Sequence, residues 1–133
     1  MPQIAIGTFE VKMTPIEQEK EASGRTMGLV KLEKTFYGDL QATGIGKMLT
    51  ALTATKGSAV YTAIEKVEGN LHGKTGSLVF HHQGMMDKGA QKLTIAVVPD
   101  SGEGEWHGIR GTLFLEIVEK VHHYRFEYEL KYI

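Results

Sequence analysis

Three side chains of this sequence could do chemistry together: Tyr61, Glu65 and His82. Ala59, Tyr61, Ala63, Glu65 and Val67 fall on one parity, so an extended chain places them on one face. Small residues alternate there with a phenol and a carboxyl, which leaves room beside two polar groups. Leu78, Phe80 and His82 share a parity in the next run. A carboxyl in an apolar pocket beside an imidazole could act as general acid and base. Such a site would suit an isomerase or cyclase that steers a reactive apolar substrate by shape and a few polar groups. The competing reading is structural. Glu65 would pair with a cation or fix a bulge, and His82 would be satisfied in a core network, since buried polar groups usually satisfy one another. Counting back from a turn at Gly69–Asn70 puts residue 65 opposite residue 74. A direct Glu65–His82 contact is therefore not expected, and convergence across a lumen is the route left open.

A second candidate is a ten-residue phrase used twice. Gly69-Asn-Leu-His-Gly-Lys-Thr-Gly-Ser-Leu78 returns 35 residues later as Gly104-Glu-Trp-His-Gly-Ile-Arg-Gly-Thr-Leu113, with five positions identical. Its glycines could bend a strand as it joins a sheet. Backbone amides beside Lys74 or Arg110 could cradle an anion, but no helix pattern follows, so a nucleotide fingerprint is unsupported. His72 and His107 could share a metal, but no carboxylate stands at ligand spacing. His81 and His82 point to opposite faces of a strand, as do His122 and His123, so neither pair chelates one ion. No metal and no cofactor is expected. Trp106 could line a ligand mouth or plug one end of a barrel, and Met85 and Met86 could form a lip for an apolar ligand.

These residues sit on an alternating chain. His122, Tyr124, Phe126, Tyr128, Leu130 and Tyr132 share one parity, and His123, Arg125, Glu127, Glu129 and Lys131 the other. A period of two is a half-buried strand with aromatics inward. Similar runs cover 3–13, 25–36, 39–52, 58–67, 71–83, 91–99 and 109–119. Gly44 and Gly46 interrupt the third, marking a bend or a close backbone approach. Thr14, Pro15 and Glu17 look like a helix start, so residues 15–22 are expected as a short helical turn or loop. Eight antiparallel strands hide their edges best by closing. The predicted fold is all-β, a single antiparallel eight-stranded closed barrel, with an open two-sheet sandwich as the alternative.

Composition sets the outer limits. The 133 residues fit one domain, 1–133, able to bury a core without cross-links. No cysteine is present, which excludes disulfides and thiolate chemistry and favours a cytoplasmic setting. Lys and Arg total 15 against 16 Asp and Glu, with no basic block for nucleic acid. The N-terminal residues lack a basic region followed by an apolar stretch, and no run is long enough to span a membrane, so no signal peptide and no membrane partner are expected.

The run Gly57-Ser-Ala-Val-Tyr61, then Ala63-Ile-Glu65, then Gly69-x-Leu-x-Gly-Lys-x-Gly-Ser-Leu-Val-Phe-x-His82-x-Gly84, then Val97-Val-Pro-x-Ser-Gly-x-Gly104, resembles a bacterial domain-of-unknown-function family. The resemblance covers nearly the whole chain, from Gly7 to Tyr128. It implies an allene-oxide-cyclase-like, or dirigent-like, eight-stranded barrel. It implies no activity, and the cyclase's catalytic residues have no match here.

The leading functional expectation is a non-enzymatic module. A small apolar or aromatic ligand would sit in or at the mouth of the barrel against Tyr61, Phe80 and Trp106. An isomerase or cyclase using Tyr61, Glu65 and His82 is the alternative. A barrel serving as a homo-oligomer is the third.

Overall fold

The structure, a computed structural model, describes residues 2–130. Among these are nine strands and no helix: β1 (Gln3–Lys20), β2 (Thr26–Gly38), β3 (Leu40–Leu52), β4 (Ala59–Leu71), β5 (Lys74–Asp87), β6 (Ala90–Val97), β7 (Glu103–Gly104), β8 (Arg110–Val118) and β9 (Val121–Glu129). All pairings are antiparallel, and β4–β5 closes the sheet on itself. Eight strands form the ring, each beside its sequence neighbour except that β6 meets β8 and β9 meets β1. The ninth, β7, lies outside the ring against β5. The predicted closed eight-stranded barrel is therefore the observed fold, with one short strand added.

Alternation decides which side chains enter. Tyr124, Phe126 and Tyr128 of β9 are buried, while the alternating His123, Arg125 and Glu127 are not. Lys131 and Tyr132, the last of that predicted alternation, lie outside the described residues. Leu40, Val67, Leu71, Leu78, Phe80, Ile109 and Phe126 pack with Trp106 into a core that fills one end of the barrel. Each such side chain contributes about 1.5–3 kcal/mol through lost contact with water.

Residues 15–20 of the expected helical turn or loop are instead strand, and 21–22 enter the turn to β2. β1 stays paired with β2 as far as Lys20↔Thr26, with a register shift between Pro15 and Glu17. Pairing with β9 stops at Phe9, so the outer half of β1 is an edge. An edge tolerates proline, and the ladder to β2 overrides the local helix signal.

The turn between β4 and β5 falls at His72–Gly73, not at Gly69–Asn70. Both residues have positive φ, 48° and 85°. That pair of angles is what a two-residue hairpin turn of the twist-compatible kind requires. Moving the turn by three positions pairs Glu65 with Phe80 and Ala63 with His82.

The two copies of the repeated phrase meet in space. The first forms the β4–β5 hairpin. The second supplies Gly104 of β7, a tight turn, and the start of β8. Gly76 pairs with Gly104, and a side chain at Gly76 would stand 2.7 Å from Trp106 Cγ. Trp106 Nε1 donates to the Lys74 carbonyl at 2.8 Å. The phrase thus closes one barrel end by packing one copy over the other.

Candidate functional site

The opposite end of the barrel is open. An apolar cleft of about 560 Å³ enters there, walled by Phe9, Val11, Leu32, Met48, Tyr61 and Leu115. Met85, Met86 and Leu93 line it towards the rim, and Lys34, His82, Lys92 and His122 are its charged or ionisable lining besides the Tyr61 phenol. Phe80 and Trp106, expected to touch a ligand, do not line this cleft. Both belong to the packed end.

Glu65 and His82 meet directly, against the expectation drawn from the misplaced turn. His82 Nε2 stands 2.9 Å from Glu65 Oε1. They are diagonal neighbours on adjacent strands, because Glu65 faces Phe80 and His82 lies two residues along. Lys34 joins them, its Nζ donating to the same Oε1 at 3.2 Å. Side-chain exposure is 8% for Lys34, 5% for His82 and 1% for Glu65, so the trio is shielded from solvent.

Lys34 lies on β2 and Glu65 on β4, so β3 stands between them. Gly44 of β3 pairs with both Lys34 and Val67, and Gly46 pairs with Glu65. A side chain at Gly44 would stand 2.3 Å from Glu65 Oε2. The two glycines are therefore a gap in the inner face through which the carboxyl reaches across a strand. The gap leaves a mark: Glu65 Oε2 is the one buried side-chain polar atom among the described residues with no hydrogen-bond partner.

Lys34 was not singled out from the sequence, although a signal existed. It shares the parity of Leu32 and Phe36, both buried. Its ammonium also lies 5.0 Å from the Phe9 ring centre, a cation–π distance.

Tyr61 lies in the cleft beside the trio. A side chain at Gly84, its direct cross-strand partner, would stand 2.1 Å from the Tyr61 ring, so the ring covers that glycine. Its hydroxyl makes no hydrogen bond among the described residues. Burial pushes the hydroxyl above the ordinary phenol range, so it is a donor at neutral pH.

The remaining histidines do not form a centre. His72 bonds the Tyr128 hydroxyl through Nδ1, while His107 is exposed. His81 points outward to Thr62 at 3.2 Å. Among the described residues no three His, Cys, Asp or Glu side chains gather at metal-binding range. A shallower groove of about 650 Å³ runs where the two phrase copies meet, but Glu68 and Glu103 line it, which opposes the anion-cradle reading.

The molecule is thus a closed β-barrel, packed at one end and open at the other, with a buried Lys–Glu–His trio at an apolar cleft. Residues 5–128 match the family described as protein of unknown function (DUF3224), and the chain belongs to that family. It is similar along its length to a crystal structure of a protein with unknown function from the DUF3224 family of Shewanella oneidensis MR-1. The two are 42% identical, with 100% of each chain covered and a TM-score of 0.95. Among curated proteins nothing matches.

Proposed function

We propose that the protein binds a small apolar or aromatic molecule in the open half of its barrel. The observation that carries this is the cleft of about 560 Å³, apolar along its walls and ending at a few polar groups. That size and lining suit a small organic ligand; such sites span roughly 300–1,000 Å³. A cysteine-free chain fits a cytoplasmic setting for this role. Titration with Nile red, a neutral fluorophore, tests it. Saturable enhancement is expected, and Met48→Trp, which fills the cleft, should weaken it at least about ten-fold. No saturable binding, together with no small molecule in organic extracts of the purified protein, would sink the reading.

The Glu65–His82 hydrogen bond favours a second reading, an isomerase- or cyclase-type enzyme in which Tyr61, Glu65 and His82 act on a bound apolar substrate. The resemblance of its motifs to a family of allene-oxide-cyclase-like barrels supports this reading by fold analogy. A third reading, association between copies, is supported by Ile45, Leu49, Val60 and Ile64, which stand 48–62% exposed on the outer wall. Light scattering distinguishes it.

A further inference from the structure

Resting on that binding reading, we propose that the ligand carries a phenol-type hydroxyl and lodges it against His82. Lys34, as an ammonium, can only donate, and Glu65 Oε1 accepts from it. The carboxylate so engaged can only accept from His82 as well, which assigns the ring proton to Nε2. In the neutral ring Nδ1 is then an acceptor. No protein group among the described residues bonds Nδ1, and His82 lines the cleft.

A wholly apolar ligand would cover Nδ1 and offer it no donor. An acceptor stranded in that way weakens binding by about ten-fold or more. A hydroxyl on the ligand restores the bond by donating to Nδ1. A phenol suits the site better than an alkanol. Its O–H is the stronger donor, and its ring meets aromatic faces at Phe9, Tyr61 and His122. The Tyr61 hydroxyl, itself without a partner, can donate to the phenol oxygen. The ligand oxygen would then both give and receive a hydrogen bond. No bond is broken and no co-reactant is needed.

Calorimetry with para-propylphenol and para-propylanisole tests this, because the ether keeps the ring, the propyl chain and the acceptor oxygen and replaces the donor hydrogen with a methyl. The phenol should bind about ten-fold more tightly or better. His82→Phe should abolish the preference, while Tyr61→Phe, whose lost hydroxyl could donate to the oxygen of either probe, should weaken both and keep the preference. Equal affinity of the two probes for the native protein overturns the inference and leaves the binding reading standing. Binding of neither probe defeats both. A phenol preference that survives in His82→Phe also overturns the assignment, since the acceptor would then lie elsewhere. If His82→Phe does not fold, the native protein and Tyr61→Phe still decide.

Discussion

Lys34 and Glu65 sit two strands apart, yet their side chains pair at 3.2 Å across the inner face of β3. Both ends of this pair are largely buried, with Lys34 8% and Glu65 1% exposed. Buried ion pairs of this kind add little stability over an apolar replacement, but removing one partner strands the other. The trio therefore reads as a specific arrangement held at a cost, beside a cleft, rather than as a stabilising device.

Glu65→Gln should expose that cost. The amide cannot neutralise the Lys34 ammonium, which is 8% exposed. A loss of about 3–5 kcal/mol is expected in urea unfolding. Adding Lys34→Met removes the stranded charge and should recover most of the loss. A Glu65→Gln protein as stable as the native one would mean that the pair is not formed in solution.

Gly44→Ala should be destabilising for a reason confined to one contact. Its new methyl would stand 2.3 Å from Glu65 Oε2 and force the carboxyl off Lys34. Overpacking of this sort costs about 1–3 kcal/mol. In a Glu65→Ala background the obstruction is gone, so the two substitutions should be non-additive by more than about 0.5 kcal/mol. Additive losses in a double-mutant cycle would show that the glycine serves some other purpose.

Alkaline pH should unfold the barrel through its tyrosines. Burial raises the hydroxyls of Tyr61, Tyr124 and Tyr128, and the Asp39 charge adds to the rise for the last two. For Tyr124 the Leu40 amide opposes it. A folded-state value above the unfolded one gives stability that is complete below about pH 10 and is lost as pH rises through the folded value. Urea midpoints should be insensitive to these groups near neutrality and fall above about pH 10. Tyr124 also accepts from Leu40 N–H at 2.9 Å and donates to the Tyr37 carbonyl at 2.8 Å. Tyr124→Phe should thus cost about 1–3 kcal/mol at neutral pH and make the alkaline fall shallower.

Much of this fold was legible because alternation is a local rule. Each of the eight ring strands shows in its parity, and so does the inward face that carries Tyr61 and Glu65. What failed was anything that needed register. Gly69–Asn70 looks like a turn by residue type, yet the φ > 0 pair sits at His72–Gly73. That three-residue difference hid the Glu65–His82 contact. Residues 15–20 carry helix-forming Glu and Lys, but pairing with β2 supplies hydrogen bonds that a lone helical turn could not. Gly44 and Gly46 announced a close approach; that its main occupant is a carboxyl follows only once β2, β3 and β4 are laid side by side. Trp106 offered a mouth or a plug, and its place beside Gly76 depends on how the second phrase folds over the first.

The β8–β9 turn offers a test of how far local geometry limits stability. Val118 pairs with Val121, leaving Glu119 and Lys120 as the two turn residues. Their φ angles are 50° and 68°, both in the left-handed region. The β5–β6 turn has the same form but places Gly89 second. A side chain in that region meets the following carbonyl, at a cost of roughly 1–2 kcal/mol per residue. Asparagine and glycine are the residues this turn prefers. Glu119→Asn with Lys120→Gly should therefore stabilise the protein by about 0.5–1 kcal/mol, since glycine's extra freedom in the unfolded chain offsets part of the relief. The thermal midpoint should rise by about 2–4 °C. Gly89→Ala should move it in the opposite direction. Both turn residues are exposed and neither lines the cleft, so Nile red affinity should not change. A lower midpoint for the Asn–Gly variant would show that Glu119 and Lys120 make contacts in solution that outweigh their backbone strain.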